Sequence, residues 1–180
     1  MLAKMASLLP LIQDILPMIM PSSISVAKAA DIVPPTSSPA SQNEQQQNGE
    51  APGAGAGGVR VLSRNAVVGK TDKMCASVLV VKPKSASAIH HNGEQDAIVY
   101  AVSGKGALLS SPKDEGEDPV RFEIDQGDFA FIPAWTEHQA VNESEEEDMR
   151  WVVIRSGSHP VEVSLTDWAG PQAKADSPKQ

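Results

Sequence analysis

The two stretches that decide the fold are HHNGEQDAIVYAVSGKG at 90–106 and GDFAFIPAWTEHQAVN at 127–142. Each contains a short run of β-branched, aromatic and small apolar residues bounded by Gly, Pro or Asn, which is typical of a strand between turns. Neither shows a helical period of convincing length. Both stretches therefore predict short β-strands, and each has a histidine at the end of such a strand.

The same pattern extends from 59 to 165. Short strand candidates follow one another at a spacing of ~8 to 12 residues, with turn residues between them. The candidates are 59–63, 77–81, 86–90, 97–102, 107–110, 120–124, 128–132, 138–142, 151–155 and 161–165. This spacing predicts an all-β fold, an antiparallel sandwich or barrel with little helix. We expect Phe129, Phe131, Trp135 and Trp151 to form its core or the wall of a pocket.

The chain on either side of this region is predicted to lack a compact fold. All of the aromatic residues, three Phe, three Trp and one Tyr, lie at Tyr100 or later, so the first half has no large anchor to offset the entropy of ordering. The stretch 31–58 is polar or rich in Gly and Pro, which is typical of a disordered linker. The predicted organisation is a disordered or targeting segment and linker at 1–58, one domain at 59–168 and a flexible tail at 169–180.

The first 30 residues carry some features of a signal peptide. Lys4 precedes an apolar stretch and Ala27-Lys28-Ala29 has the small-x-small form, but Asp14 and two prolines interrupt the apolar stretch. No run reaches the ~20 apolar residues of a membrane-spanning helix. A cytoplasmic location is therefore favoured, with secretion as the alternative, and no membrane partner is expected.

Charge and cysteine content argue against two further classes of protein. The 15 basic and 23 acidic residues give a formal charge of -8, so no basic surface for a phosphate backbone is expected and nucleic acid is not a predicted partner. The single cysteine, Cys75, cannot form a disulfide within the chain. Stability should therefore come from a packed core.

Together the two stretches resemble the two sequence motifs of the cupin superfamily, H-x-H-x(3,4)-E and G-x(5)-P-x-G-x(2)-H-x(3)-N. In the second motif, Gly127, Pro133, His138 and Asn142 fall at the family spacing. Trp135 stands where the family usually has Gly. The resemblance covers about 59–165 and implies a double-stranded β-helix, the cupin jelly-roll barrel.

The first motif fits in spacing but not in all of its letters. His90 takes the first His position, Asn92 the second and Asp96 the Glu position. The longer of the two family spacings puts Ala97 in the Glu position instead. The two stretches also resemble those of small fungal cupin-domain oxidoreductases of polyketide and salicylaldehyde-type pathways.

Strand geometry adds to this resemblance. Residues two apart on a strand share a face, so His90 and Asn92 are expected to point into the barrel and His91 away from it. Side chains from neighbouring and distant strands can converge on the same interior point. The predicted metal ligands are His90, Asn92, Asp96 and His138. A register error at the strand end leaves three alternatives open, which are His91, Glu94 and Gln95.

Two imidazoles and one carboxylate are the ligand set of non-haem Fe(II) oxygenases, so the expected cofactor is a divalent transition metal, Fe(II) ahead of Mn or Zn. Tyr100 and Glu94 are the expected groups for proton transfer. The predicted function is a metal-dependent oxidoreductase or dioxygenase-like enzyme that acts on a small, largely apolar substrate in secondary metabolism. The alternative is a metal-free small-molecule binding module or acid/base isomerase that uses His138 with Tyr100. The resemblance also implies a homodimer paired through edge strands.

Overall fold

The computed structural model describes residues 23–32, 60–114 and 116–173. Most of 1–58 and part of the tail at 169–180 lie outside the described residues, so the predicted domain boundaries stay predictions. Within 23–32, one turn of helix, α1, spans Ala29–Ile32 and buries none of its side chains. The described segments contain no helix that is long and apolar enough to cross a membrane.

Eleven strands of the described residues form two sheets in which all paired strands are antiparallel. They are β1 Val61–Val67, β2 Met74–Val81, β3 Ser85–Ala86, β4 His90–His91, β5 Ala97–Ser103, β6 Gly106–Ser110, β7 Val120–Ile124, β8 Phe129–Ile132, β9 His138–Asn142, β10 Met149–Ser156 and β11 Val163–Ser164. The first sheet has the order β1-β2-β10-β5-β8. The second has the order β11-β4-β9-β6-β7, with β3 also paired to β9. The predicted all-β antiparallel architecture with little helix is confirmed.

The strand expected at 86–90 is divided into β3 and β4. Ser87 lies at the interruption, where its backbone N–H donates to Ala140 O and its hydroxyl accepts a hydrogen bond from Ala140 N. The side chain thus takes a hydrogen bond that a regular ladder would give to a backbone carbonyl. The interruption separates the pairing of β3 from that of β4, and β4 begins at His90.

The core lies between the two sheets and follows the alternation of their strands. Along β10, Met149, Trp151, Val153 and Arg155 are buried, while the residues between them are partly or fully exposed. Most of the buried core side chains are small or β-branched aliphatic residues contributed by both sheets. Burying one valine, leucine or isoleucine side chain contributes about 1.5 to 3 kcal/mol, so the inward set supplies the main stabilising term.

Three of the four aromatic side chains expected in the core are on the surface instead. Phe129 is 71% exposed, Phe131 63% and Trp135 65%, whereas Trp151 is fully buried. The cause is the alternation of β8, which turns Ala130 and Ile132 inward and leaves both phenylalanines outside. Trp135 lies in the turn after β8 with a φ of 63°, a left-handed conformation that suits the Gly usual at this position better than an aromatic residue.

Candidate functional site

Two buried histidines face each other at the centre of the second sheet. His90 of β4 and His138 of β9 are direct partners in the strand register. Their exposed fractions are 6% and 5%, and their ring centroids lie 4.1 Å apart with a tilt of 55°. The structure therefore brings together the two histidines that the sequence placed in one site.

Both rings are fixed by the backbone through the same nitrogen. His90 Nδ1 lies 2.9 Å from Ala88 O, and His138 Nδ1 lies 2.8 Å from Thr136 O. A carbonyl oxygen can only accept, so in each ring Nδ1 carries the proton and donates. In the neutral ring, Nε2 then remains as an acceptor with a free lone pair.

Burial keeps His138 uncharged. The pKa of His138 is lowered from 6.5 to about 3, mainly by desolvation and also by the electrostatic effects of His90, Arg155 and His91, while the hydrogen bond to Thr136 O acts in the opposite direction. At neutral pH this side chain is therefore a neutral imidazole, which is the form that accepts hydrogen bonds or binds a metal.

A cavity opens beside the two histidines inside the barrel. It has a volume of about 670 Å³, including the space open to solvent. Its apolar wall is formed by Val61, Leu79, Ala88, Val99, Leu108, Ile132, Ala140, Trp151 and Val153. Its polar lining consists of Ser63, Ser77, Ser87, His90, His138, Arg155 and Glu162. An apolar concave surface with a few convergent polar groups is the usual form of a small-molecule site.

Arg155 is a functional candidate that the sequence reasoning missed. It is the last buried residue of β10, only 6% exposed, and it lines the cavity. Its Nε donates to Asn92 Oδ1 at 3.1 Å and its Nη1 donates to Ser77 Oγ at 3.0 Å. The signal was present in the sequence, because an arginine two residues after Val153 continues an inward series in which a charge is unusual.

Asn92 is buried, as the alternation predicted, at 1% exposure. Its Oδ1 is taken by the Arg155 guanidinium, and its Nδ2 has no hydrogen-bond partner among the described residues. The amide oxygen predicted as a metal ligand is therefore committed to a cation.

Asp96 is not placed with the histidines. It is exposed, its carboxylate accepts a hydrogen bond from Ala134 N at 2.9 Å, and its backbone N–H donates to Ser156 Oγ. The inward neighbour is Ala97, at 1% exposure. Successive residues of a strand point to opposite faces, so the position next to the barrel interior carries a methyl group and the carboxylate lies outside.

The two residues predicted for proton transfer also lie away from the cavity. Tyr100 is on the outer face of β5, where its ring stacks on Phe129 with centroids 4.6 Å apart, and Glu94 is exposed. Tyr100 is excluded from the interior for the same reason as Asp96, because even-numbered residues of β5 face outward.

The alternative ligands have other contacts. Gln95 is buried, but its amide donates to Ser156 O and His159 O and accepts from Val161 N, which ties it to the stretch 156–161 at the end of β10 and after it. His91 Nδ1 accepts from Gly93 N at 3.0 Å, and the His91 ring lies beside Trp135. Neither residue lines the cavity.

The metal predicted from the sequence is only partly matched by these side chains. The described residues contain no group of three or more His, Cys, Asp or Glu side chains placed to hold a metal ion. His90 and His138 fit the role, since backbone carbonyls anchor their Nδ1 atoms as they do in many metal sites. The remaining positions hold the Ala97 methyl group and an amide bonded to a buried guanidinium, and a fixed positive charge disfavours a second cation. The donor set therefore falls short of a three-ligand site.

Comparison with protein families identifies the barrel. Residues 77–155 match the family model described as a cupin domain. These residues have the double-stranded β-helix fold of cupin domains. Both paired histidines, Asn92 and Arg155 lie inside the match, and the predicted cupin jelly-roll fold is confirmed. A search of the curated proteins found no match.

Several solved structures are similar to the cupin domain in fold. They include oxalate decarboxylase from Bacillus subtilis, with 21% identity, a TM-score of 0.46 and coverage of 52% of this chain and 24% of that chain. A conserved protein with a double-stranded beta-helix domain from Klebsiella pneumoniae has 15% identity and a TM-score of 0.49, with coverage of 64% of this chain and 86% of that chain. A putative sugar phosphate isomerase from Acidithiobacillus ferrooxidans has 24% identity and a TM-score of 0.39, with coverage of 47% of this chain and 50% of that chain. The match therefore spans only about a quarter of the oxalate decarboxylase chain.

Proposed function

We propose that the cupin domain binds a small, largely apolar molecule in the barrel cavity and holds a hydroxyl group of that molecule with His90 and His138. The observation that carries the proposal is the pair of buried imidazoles that line the cavity with Nδ1 already bonded to the backbone. A hydroxyl donor in the cavity would complete the hydrogen bonding of such a ring. The surrounding wall is mostly aliphatic, which suits an apolar body on the ligand.

The low pKa of His138 favours binding over proton abstraction. A general base works best when its pKa is near the working pH, and a pKa of about 3 leaves His138 a weak base at neutral pH. As a neutral acceptor, however, it is well suited to a hydroxyl or enol group. Tyr100, the second group of the acid/base isomerase considered above, lies on the outer face. A binding module is therefore the form of the metal-free alternative that the geometry supports best.

A pair of probes tests this proposal. We expect p-cresol, a small phenol, to quench the fluorescence of the cavity residue Trp151 saturably in a chain with Trp135 and Trp168 replaced by Phe. 4-Methylanisole has the same ring but no hydroxyl donor and should bind more weakly. His90→Leu should weaken p-cresol binding about tenfold, the usual scale of one lost hydrogen bond in a buried site, and leave 4-methylanisole unchanged.

The chain supplies its own matched control for this experiment. His91→Leu removes the adjacent imidazole, which does not line the cavity, so it should leave binding of both probes unchanged. Equal loss of p-cresol binding in His91→Leu and His90→Leu would contradict the proposal. Equal affinity for p-cresol and 4-methylanisole in the chain that keeps both His90 and His138 would also contradict it.

The second candidate is the metal-dependent oxidoreductase, favoured by the backbone-anchored histidine pair. In that case His90 and His138 would hold the metal, which would supply Lewis-acid or redox chemistry when bound. The substrate class would be the oxygenated, largely apolar intermediates of fungal polyketide pathways suggested by the resemblance of the two motifs. Elemental analysis of protein purified without a metal-binding tag separates the two candidates. One Fe, Mn or Zn per chain would favour the oxidoreductase, and metal-free protein that still binds p-cresol would favour the binding module.

A further inference from the structure

Arg155 brings a positive charge into the cavity of the cupin domain. From its place beside the paired histidines, we infer that the ligand of this cavity is a monocarboxylate, whose anionic oxygens pair with the Arg155 guanidinium. This inference rests on the proposed function, since it specifies the class of molecule that the cavity binds. It replaces the metal expected from the sequence with an anionic group of the ligand.

The guanidinium is held rigidly but incompletely satisfied. Two of its nitrogens donate hydrogen bonds, Nε to Asn92 Oδ1 and Nη1 to Ser77 Oγ. The third nitrogen, Nη2, lies 3.7 Å from Glu162 Oε2, which is too long for a hydrogen bond. A guanidinium has five N–H donors, so part of the fork remains for a ligand in the cavity that Arg155 lines.

Charge balance in the lining indicates an anion with a single charge. Apart from the two histidines, Arg155 and Glu162 are the lining residues with an ionisable side chain, and His138 is neutral at pH 7. A buried cation without a close partner is costly, and the contact at 3.7 Å compensates it only in part. A carboxylate at hydrogen-bond distance would complete the pair, whereas a phosphate dianion would bring a second charge with no cation to meet it.

Glu162 can give way to such a ligand. Its side chain is 31% exposed, compared with 7% for Arg155, and it makes no hydrogen bond to the guanidinium. A carboxylate with this access to water loses little stabilisation when it turns outward, since partly exposed ion pairs contribute little to the free energy of folding. The bound carboxylate would then take its place as the counter-ion, while Glu162 returns to solvent.

Asn92 is a positioning residue for this site. Its Oδ1 accepts a hydrogen bond from Nε of the guanidinium. This hydrogen bond holds the plane of the guanidinium, and with it the N–H groups that have no partner, in a fixed orientation. The resemblance places Asn92 where cupins usually have the second histidine of the first motif. An amide accepts a hydrogen bond from a guanidinium that a metal-bound imidazole would not accept, so the substitution at this position suits an arginine partner.

Benzoate and benzamide test the inference, because the two have nearly the same shape and differ in charge. At pH 7, in the chain in which Trp151 is the only tryptophan, we expect benzoate to bind at least about tenfold more tightly than benzamide, as for a charge-assisted hydrogen bond. Arg155→Gln should reduce benzoate affinity by about the same factor and leave benzamide affinity unchanged.

A second variant keeps the test decisive if Arg155→Gln does not fold. Glu162→Gln removes the competing carboxylate while keeping the size and hydrogen-bonding groups of the side chain. Benzoate affinity should then rise severalfold, with no change for benzamide. A fall or no change in benzoate affinity would overturn the inference.

The outcomes also separate this inference from the proposed function. Equal affinity for benzoate and benzamide, together with p-cresol binding that depends on His90, would overturn the carboxylate site and leave the binding cavity in place. Failure of p-cresol, benzoate and benzamide alike to quench Trp151 would overturn both.

Discussion

The two motif segments of the cupin domain each bury one asparagine to 1% exposure, and the two side chains are used differently. In the second segment, Asn142 donates to Val81 O and Glu147 O and accepts from Ser144 N, so three hydrogen bonds tie β9 to its neighbours. In the first segment, Asn92 makes one side-chain hydrogen bond, to Arg155, and its Nδ2 has no partner among the described residues.

This difference separates a structural residue from a residue of a site. Buried polar groups are nearly always paired, and a group that serves the fold finds its partners within the fold. Nδ2 of Asn92 is a buried donor without a partner, and Asn92 lies beside Arg155, a buried cation that lines the cavity. The energetic cost of this unpaired donor is not explained by the needs of the fold alone. Asn142 therefore serves to hold the barrel together, and Asn92 serves to hold Arg155 at the cavity.

Replacing each asparagine by leucine gives the largest expected effect. Asn142→Leu removes three hydrogen bonds, one of them fully buried, and should lower the free energy of unfolding by about 3 kcal/mol, about 1 kcal/mol for each hydrogen bond. Asn92→Leu leaves Nε of Arg155 without its partner but also removes an unpaired buried N–H, so its loss should be smaller, about 1 to 2 kcal/mol. Urea denaturation of both variants measures the difference. Equal losses would show that Asn92 is as structural as Asn142.

The next test restores in the first segment the residue types that the cupin motif has at its second His and its Glu positions. Asn92→His combined with Ala97→Glu would add an imidazole and an inward carboxylate to the histidine pair. Titration of the metal-free protein with Mn(II) or Fe(II) should then show at least about tenfold tighter binding than in the unmodified chain, or about 1.4 kcal/mol. Asn92→His with Asp96→Glu is the matched control, because Asp96 lies on the outer face. Equal gains in the two double variants would mean that the inward position is not 97.

The third test concerns the second segment, where His138 titrates. Its pKa is about 3 in the folded chain and 6.5 in the unfolded reference, so between these values the unfolded chain binds more protons. The stabilising contribution is complete above pH 6.5 and is lost as the pH falls toward 3, by about 1 kcal/mol per pH unit. Urea denaturation from pH 7 to pH 4 should show this slope, and His138→Asn should reduce it. An unchanged slope in His138→Asn would assign the acid sensitivity to other groups.

Much of the fold was predictable because strands are local. Short apolar runs between turn residues located nearly every strand, and the period of two correctly set His90 and Asn92 inside and His91 apart from them. The same period, applied to β8, would also have placed Phe129 and Phe131 outside. Residue type suggested a core for these aromatics, but strand alternation decides which side they face.

The amino-acid sequence was sufficient to predict the cupin barrel and the inward place of its two histidines, because motif spacing and alternation act over a few residues. The choice between Asp96 and Ala97 as the inward neighbour depended on the folded barrel, since a one-residue change of register reverses the face and the family spacing allows both. The contact of Arg155 with Asn92, 63 positions away in the chain, likewise depended on the folded barrel. Such a pairing depends on how β10 packs beside the first motif, and no local pattern of residues encodes it.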